Sequence, residues 1–272
     1  MLHDRIKNYY GVGCDIVATR RTAAGDAFWF VVDAASRARL LRMLGTIDRH
    51  GAVMEQSAMD LLAPERLVFL YERLMLLAFG LARETAKVLL LGLGGGAMCR
   101  HLAAYLPECA ATAVERDAIV LALSRRYFRI ELPVRHAEAE DAVADAAGGY
   151  DVILADLYDA HGLAALPPGF WADCRAALRP GGCLAINWAG FRDRPQVQEA
   201  IADAKRVLAG SIFLVDRSAR PNMVQLLPLA GGLGPADLPA RWRDFARHRK
   251  LPREDSTILQ RCELLAQPPL RF

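Results

Sequence analysis

The 272-residue chain sets 34 Lys and Arg against 31 Asp and Glu, a net charge of +3, with 53% apolar and 24% charged residues. This mixture excludes long disorder, and so small a net charge does not by itself imply a polyanionic partner. No apolar run reaches the roughly 18 residues of a membrane span, because the most apolar stretch, Leu67 to Leu81, is cut by Glu72 and Arg73.

The length fits one substantial core with additions at its ends. The start, Met1-Leu2-His3-Asp4-Arg5, lacks the pattern of a signal peptide, so the expected compartment is the cytoplasm. Residues 15–60 alternate β-prone runs (Asp15–Thr19, Phe28–Val32, Arg39–Leu44) with turn material at Ala24-Gly25-Asp26 and Asp48-Arg49-His50-Gly51. A small antiparallel β module over residues 1–62 is predicted. So small a module buries little core and leaves strand edges open, so it is expected to pair with a second subunit in a homodimer.

From Pro64 the apolar residues Leu67, Leu70, Tyr71, Leu74, Leu77, Ala78 and Leu81 recur every three or four places, predicting an amphipathic helix. Lys87–Leu91 is a continuous apolar strand, followed by Gly92-Leu93-Gly94-Gly95-Gly96 and a helix to Leu106. Further strands are expected at Ala111–Glu115, Pro133–His136, Tyr150–Asp156 and Cys183–Trp188, with a helix over 118–127 and an Arg179-Pro180-Gly181-Gly182 turn before the last strand. Beyond a helix from Pro195 to Leu208, the runs Ser211–Asp216 and Met223–Pro228, joined by an Arg-Pro-Asn turn, could close the sheet as an antiparallel hairpin. Apolar strands alternating with helices predict an α/β fold, a doubly wound, mostly parallel Rossmann-like sheet, over residues 63–272.

Ligands of such sheets bind at the carboxyl ends of strands. Gly92, Gly94, Gly95 and Gly96 permit a tight turn and a close approach to the backbone. Glu115 ends the next strand about 20 residues on, where a carboxylate takes the hydroxyls of a ribose. A dinucleotide-dependent dehydrogenase fits the glycines but leaves little chain for a substrate domain. The helix end and turn Leu178-Arg179-Pro180-Gly181-Gly182-Cys183-Leu184 instead resemble those of class I S-adenosylmethionine-dependent methyltransferases. The six cysteines, Cys14, Cys99, Cys109, Cys174, Cys183 and Cys262, form no Cys-x-x-Cys pair and are expected to be free and buried. No histidine shows ligand spacing, so no metal is expected.

Between Gly45 and Trp188 the chain resembles the spermidine synthase-like family, the polyamine aminopropyltransferases. The motifs are Asp156-Leu157-Tyr158-Asp159 at a strand end, similar to the family's Asp-Ser-Ser-Asp, with Gly51 through Gln56-Ser57, Tyr71-Glu72, Val114-Glu115 and Glu138-Ala139. The resemblance implies a transferase that uses decarboxylated S-adenosylmethionine or S-adenosylmethionine as donor and a small amine as acceptor. Glu138 with Ala139 would take the adenine, Glu115 the ribose, and Gln56, Tyr71 and Tyr158 would line the amine pocket. Asp156 and Asp159 would be the catalytic acids, binding the amine and accepting its proton. Where the family's glycine loop has an Asp for the donor's charged tail, this chain has Gly95. The expectation is extra room there and tolerance of intact S-adenosylmethionine. A methyltransferase and a non-catalytic nucleoside-binding relative remain alternatives. For a methyltransferase the basic segment Arg241–Arg253, with Trp242 and Phe245, could touch RNA, although a solvated amphipathic helix is the favoured reading and no nucleic-acid or membrane partner is expected.

Overall fold

A computed structural model describes residues 2–36, 39–144, 146–192, 194–217 and 222–268. The chain opens with helix α1 (Leu2–Tyr10) and strands β1 (Asp15–Arg21), β2 (Ala27–Ser36), β3 (Arg39–Asp48) and β4 (Val53–Asp60), which form an antiparallel sheet in that order. Then follow α2 (Leu70–Met75), α3 (Leu77–Leu81), β5 (Lys87–Leu91), α4 (Ala97–Tyr105), β6 (Ala110–Glu115), α5 (Ala118–Tyr127), β7 (Val134–His136), α6 (Ala139–Ala144) and β8 (Tyr150–Ala155). A two-residue pair, β9 (Tyr158–Asp159) and β10 (Gly162–Leu163), precedes α7 (Phe170–Ala177), β11 (Leu178–Trp188), α8 (Pro195–Val207), β12 (Ile212–Asp216) and β13 (Met223–Pro228). The last elements are α9 (Leu238–His248), α10 (Arg253–Ser256) and β14 (Cys262–Leu265).

The large sheet runs β14-β12-β13-β11-β8-β5-β6-β7, with β11, β8, β5, β6 and β7 parallel and β13, β12 and β14 joined antiparallel. This is the expected fold class. Strand side chains alternate between faces, so a run apolar throughout must be covered on both. Val88, Leu90, Val152 and Leu154 enter one core with α2, α3, α4 and α9, while Leu89, Leu91 and Ile153 enter the other with α7 and α8. The chain winds from β5 outward to β7 and returns at β8, so the strand order reverses between β5 and β8, where a crevice opens.

The N-terminal sheet is covered within one chain. Ile6 of α1 packs on Phe30, Val32, Met43 and Ile47 on one face, and Val120, Leu123 and Phe128 meet Trp29, Val31 and Leu44 on the other. Both faces of this sheet are therefore buried without a second subunit, while β1 and β4 remain its edge strands. Neither α1 nor β4 stands out in the sequence, since β4 reads Val-Met-Glu-Gln-Ser-Ala-Met-Asp without clean alternation.

Three expectations need correction. The helix expected from Pro64 begins at Leu70, in two short pieces, and it is buried all round rather than amphipathic, Glu72 and Arg73 included. For the second piece, α3, the cause is α9: a Cβ at Gly80 would lie 3.2 Å from the Trp242 Cα, so α3 and α9 meet closely, and Arg241 donates to the Gly80 carbonyl. For the same reason Trp242, 1% exposed and stacked on Phe245, belongs to the core and is not available to stack on a nucleobase. Strand β11 also starts at Leu178 rather than Cys183, the proline-glycine turn becoming an irregularity within it. The Arg220-Pro221 part of the turn before β13 lies outside the described residues, and its flanking strands pair antiparallel as expected. All six cysteines are free and buried. Among the described residues no helix is long and apolar enough to cross a membrane, and no group of three or more His, Cys, Asp and Glu could hold a metal ion.

Candidate active site

A cleft of about 790 Å³ lies between the N-terminal sheet and the carboxyl ends of β5, β6, β8 and β11, lined among others by Gln56, Tyr71, Gly92, Gly94, Glu115 and Asp156. Its floor is fixed by backbone packing. Gly92 has φ +91°, and a Cβ there would stand 2.2 Å from the Asp156 carbonyl oxygen, so only glycine lets the two strand ends approach this closely. At the end of β6, Glu115 accepts the Leu93 amide at 3.1 Å on one carboxylate oxygen and the Asp117 amide at 2.8 Å on the other. These bonds fix the carboxylate and leave each oxygen a further lone pair for a hydroxyl. Burial raises the Glu115 carboxyl above its ordinary range, and the amide bonds oppose that.

Asp156 ends β8 deep in the cleft. Tyr71 Oη donates to its Oδ2 at 2.9 Å and Asn187 Nδ2 to its Oδ1 at 2.8 Å. Asn187 is held in turn by Asn222, whose Nδ2 donates to Asn187 Oδ1 at 3.2 Å. Burial pushes the Asp156 carboxyl up, and the bonds from Asn187 and Tyr71 pull it back. The result is a carboxylate poised to accept a proton and anchored at both oxygens. Beside the cleft a smaller recess is lined by Glu115, Glu138, Ala139, Leu157, Tyr158 and Leu166.

The chain matches no family model. It is 34% identical over 146 residues to the polyamine aminopropyltransferase of Chromobacterium violaceum, a match covering 51% of this chain and 56% of that protein. The chain thus spans about half the length of the curated relatives it matches. A probable spermidine synthase from Corynebacterium glutamicum superposes with a TM-score of 0.63 over 84% of this chain and 87% of the other at 20% identity. The chain is thus similar to polyamine aminopropyltransferases over about half of its length and shares the fold of a probable spermidine synthase. The same fold is shared by human methyltransferase-like protein 13, solved with S-adenosylhomocysteine, with a TM-score of 0.58, 21% identity and coverage of 68% and 95% of the two chains.

The spermidine synthase-like motifs do not all reach the cleft. Gln56, Tyr71, Gly92, Gly94, Glu115, Asp156 and Tyr158 line it, and Glu138 and Ala139 line the adjoining recess. Tyr158 is already engaged, its oxygen accepting the Ala189 amide at 2.6 Å and facing the Asn187 carbonyl at 3.3 Å. Asp159 stands apart from Asp156. Its carboxylate pairs with Arg116 at 2.7 Å and accepts the His161 amide at 2.8 Å, on the outer side of the β9–β10 turn. Gln56 reaches that turn through the Asp159 carbonyl at 2.9 Å, so it ties the N-terminal sheet to the loop. Gly95 is not in the cleft wall: a Cβ there would lie 2.8 Å from Ser57 Oγ and 3.0 Å from the Phe128 ring. The expected room for a donor tail at Gly95 is therefore absent. Gly96 likewise faces Ile130 at the start of α4. Asn187 was missed by the sequence reading, although it is a polar residue near the carboxyl end of an otherwise apolar strand run, which is a usable signal.

Beneath Tyr71, Glu72 is 3% exposed and accepts the Phe69 amide at 3.0 Å. Burial pushes its carboxyl up to about 8, against the lowering effects of that amide, Arg100 and Arg73. The fold therefore favours the protonated form. Its stabilising contribution is full below the ordinary 4.5 and is lost as pH rises through about 8. Glu72→Gln is expected to remove this loss, so that its stability relative to the parent improves steadily from pH 5 to pH 8. Urea unfolding at both pH values measures it, and an unchanged difference between the two proteins would contradict it.

Proposed function

We propose that the chain transfers an aminopropyl group from an adenosyl sulfonium donor to an amine. The observation that carries this reading is the half-buried Asp156, anchored at both oxygens beside a recess lined by Glu115, Glu138 and Ala139. The amine nitrogen would attack the methylene next to the sulfonium. The C–S bond breaks with its electron pair passing to sulfur, methylthioadenosine leaves as a neutral thioether, and the amine proton goes to Asp156. No general acid is required for such a leaving group. The protein's part is to hold the amine about 3 Å from the carbon and to take its proton. Glu115 and Glu138 suit the ribose and the adenine, and Tyr71 and Gln56 flank the reacting centre. The names of the aminopropyltransferase relatives support this chemistry.

Methyl transfer is the second reading, favoured by the fold shared with human methyltransferase-like protein 13, solved with S-adenosylhomocysteine. Incubation with labelled S-adenosylmethionine and with its decarboxylated form separates the two. Methylthioadenosine is the expected by-product. S-adenosylhomocysteine would establish methyl transfer instead, and neither product together with no nucleoside binding would defeat both.

A further inference from the structure

Arg194, just before α8, lines the cleft with Asp156, Tyr158, Asn187 and Gly190. Its side chain lies in a notch formed by two glycines with positive φ. A Cβ at Gly162 would fall 2.7 Å from Arg194 Nη1, and one at Gly190 2.8 Å from its Cδ. A larger residue at either place would push the guanidinium aside. Other arginines at least partly shielded from solvent are paired: Arg42 with Asp33, Arg73 with Asp255, Arg100 with the Phe128 carbonyl and Arg179 with Asp151. The half-buried Arg194 guanidinium has no hydrogen-bond or ion-pair partner among the described residues. Its charge acts on Tyr158, favouring the ionised phenol against the dominant effect of burial, yet that hydroxyl is already bonded to the Ala189 amide. The same cleft wall carries Asp216, which accepts the Asn222 amide at 3.0 Å, and Arg261.

A site for a purely cationic donor tail and a plain diamine gains nothing from a guanidinium beside the reacting centre, because like charges repel. An arginine with open donors in a partly dry cleft suits a carboxylate, which it can take through two parallel hydrogen bonds. We propose that Arg194 is a carboxylate subsite, so that one of the two reacting molecules is an amino acid derivative and not a simple polyamine. This rests on the nucleoside-plus-amine reading above. The carboxylate could belong to the donor, as in intact S-adenosylmethionine, or to the acceptor amine, and the test distinguishes them.

Calorimetry on parent and Arg194→Gln would use two matched pairs of probes. S-adenosylhomocysteine is compared with methylthioadenosine, and ornithine with putrescine in the presence of saturating methylthioadenosine. Each pair differs by a carboxylate. The variant is expected to lose roughly ten- to hundredfold in affinity for one carboxylate probe and to keep its affinity for the matched probe without one. Loss on S-adenosylhomocysteine places the carboxylate on the donor, and loss on ornithine places it on the acceptor. If methylthioadenosine binds both proteins and neither carboxylate probe distinguishes them, the subsite is overturned while the proposed function stands. A parent that binds no nucleoside overturns both.

Discussion

Asp156→Asn is expected to lower turnover by roughly two to four orders of magnitude while methylthioadenosine affinity stays within about twofold. The amide cannot take the amine's proton, yet it occupies the same space between Tyr71 and Asn187. The nucleoside contacts proposed above centre on Glu115 and the glycine turn, whose side-chain and backbone bonds the substitution does not remove. The pH profile gives an independent reading. Asp156 must be ionised to act, and its carboxyl is raised by burial, so the acidic limb of kcat/KM should lie above the usual carboxylate range. Asn187→Ala removes a hydrogen bond that lowers this pKa and should move the limb to higher pH. Equal turnover in Asp156→Asn and parent would show the carboxylate to be structural and end the aminopropyl reading. A profile unmoved by Asn187→Ala would show that another group titrates in that limb.

The parts legible in the sequence are those governed by local rules. β5 and α5 fall at their expected bounds and β8 ends one residue short of its own, because an unbroken apolar run and an Asp117 cap leave few alternatives. Gly92, Glu115 and Asp156 were legible for a related reason. In a doubly wound sheet the carboxyl ends of neighbouring strands must converge, so polar residues placed there meet. What failed depended on partners remote in sequence. Asp159 is three residues from Asp156, yet the β9–β10 turn carries its carboxylate outward to Arg116, and only the folded turn decides that direction. Gly95 sits between two glycines of one loop, but its α-carbon faces Ser57 and Phe128, which arrive from β4 and the end of α5. The buried face of α3 was misjudged because α9, whose Arg241 lies more than 160 positions beyond Gly80, supplies its cover. Arg194 carried no sequence signal, since the glycines that seat it lie in separate turns.

Gly92→Ala is expected to destabilise the protein by about 3 kcal/mol or more, a fall in Tm of roughly 6–12 °C for a chain of this size. Two costs add. At φ +91° an L-residue is strained by about 1–2 kcal/mol. The methyl would also stand 2.2 Å from the Asp156 carbonyl oxygen, an overlap with main chain that no side-chain rotation relieves. That oxygen belongs to the residue proposed to take the proton, and the Asp156 amide donates to the Leu91 carbonyl at 2.9 Å, so relief must shift the ends of β5 and β8 together. Turnover should therefore fall even in the fraction that remains folded, because a displacement of about 1 Å at the reacting groups costs on the order of a hundredfold. Gly94→Ala is the matched control. Its φ is also positive, at +52°, but the nearest atom to the new methyl would be Ser57 Cβ at 3.5 Å, an ordinary contact. The backbone strain is then nearly all it pays, about 1–2 kcal/mol. Thermal unfolding of the two variants beside the parent separates strain from overlap. A Gly92→Ala protein no less stable than Gly94→Ala would mean that the strand ends part freely, and that the close approach of Gly92 to Asp156 does not hold the site together.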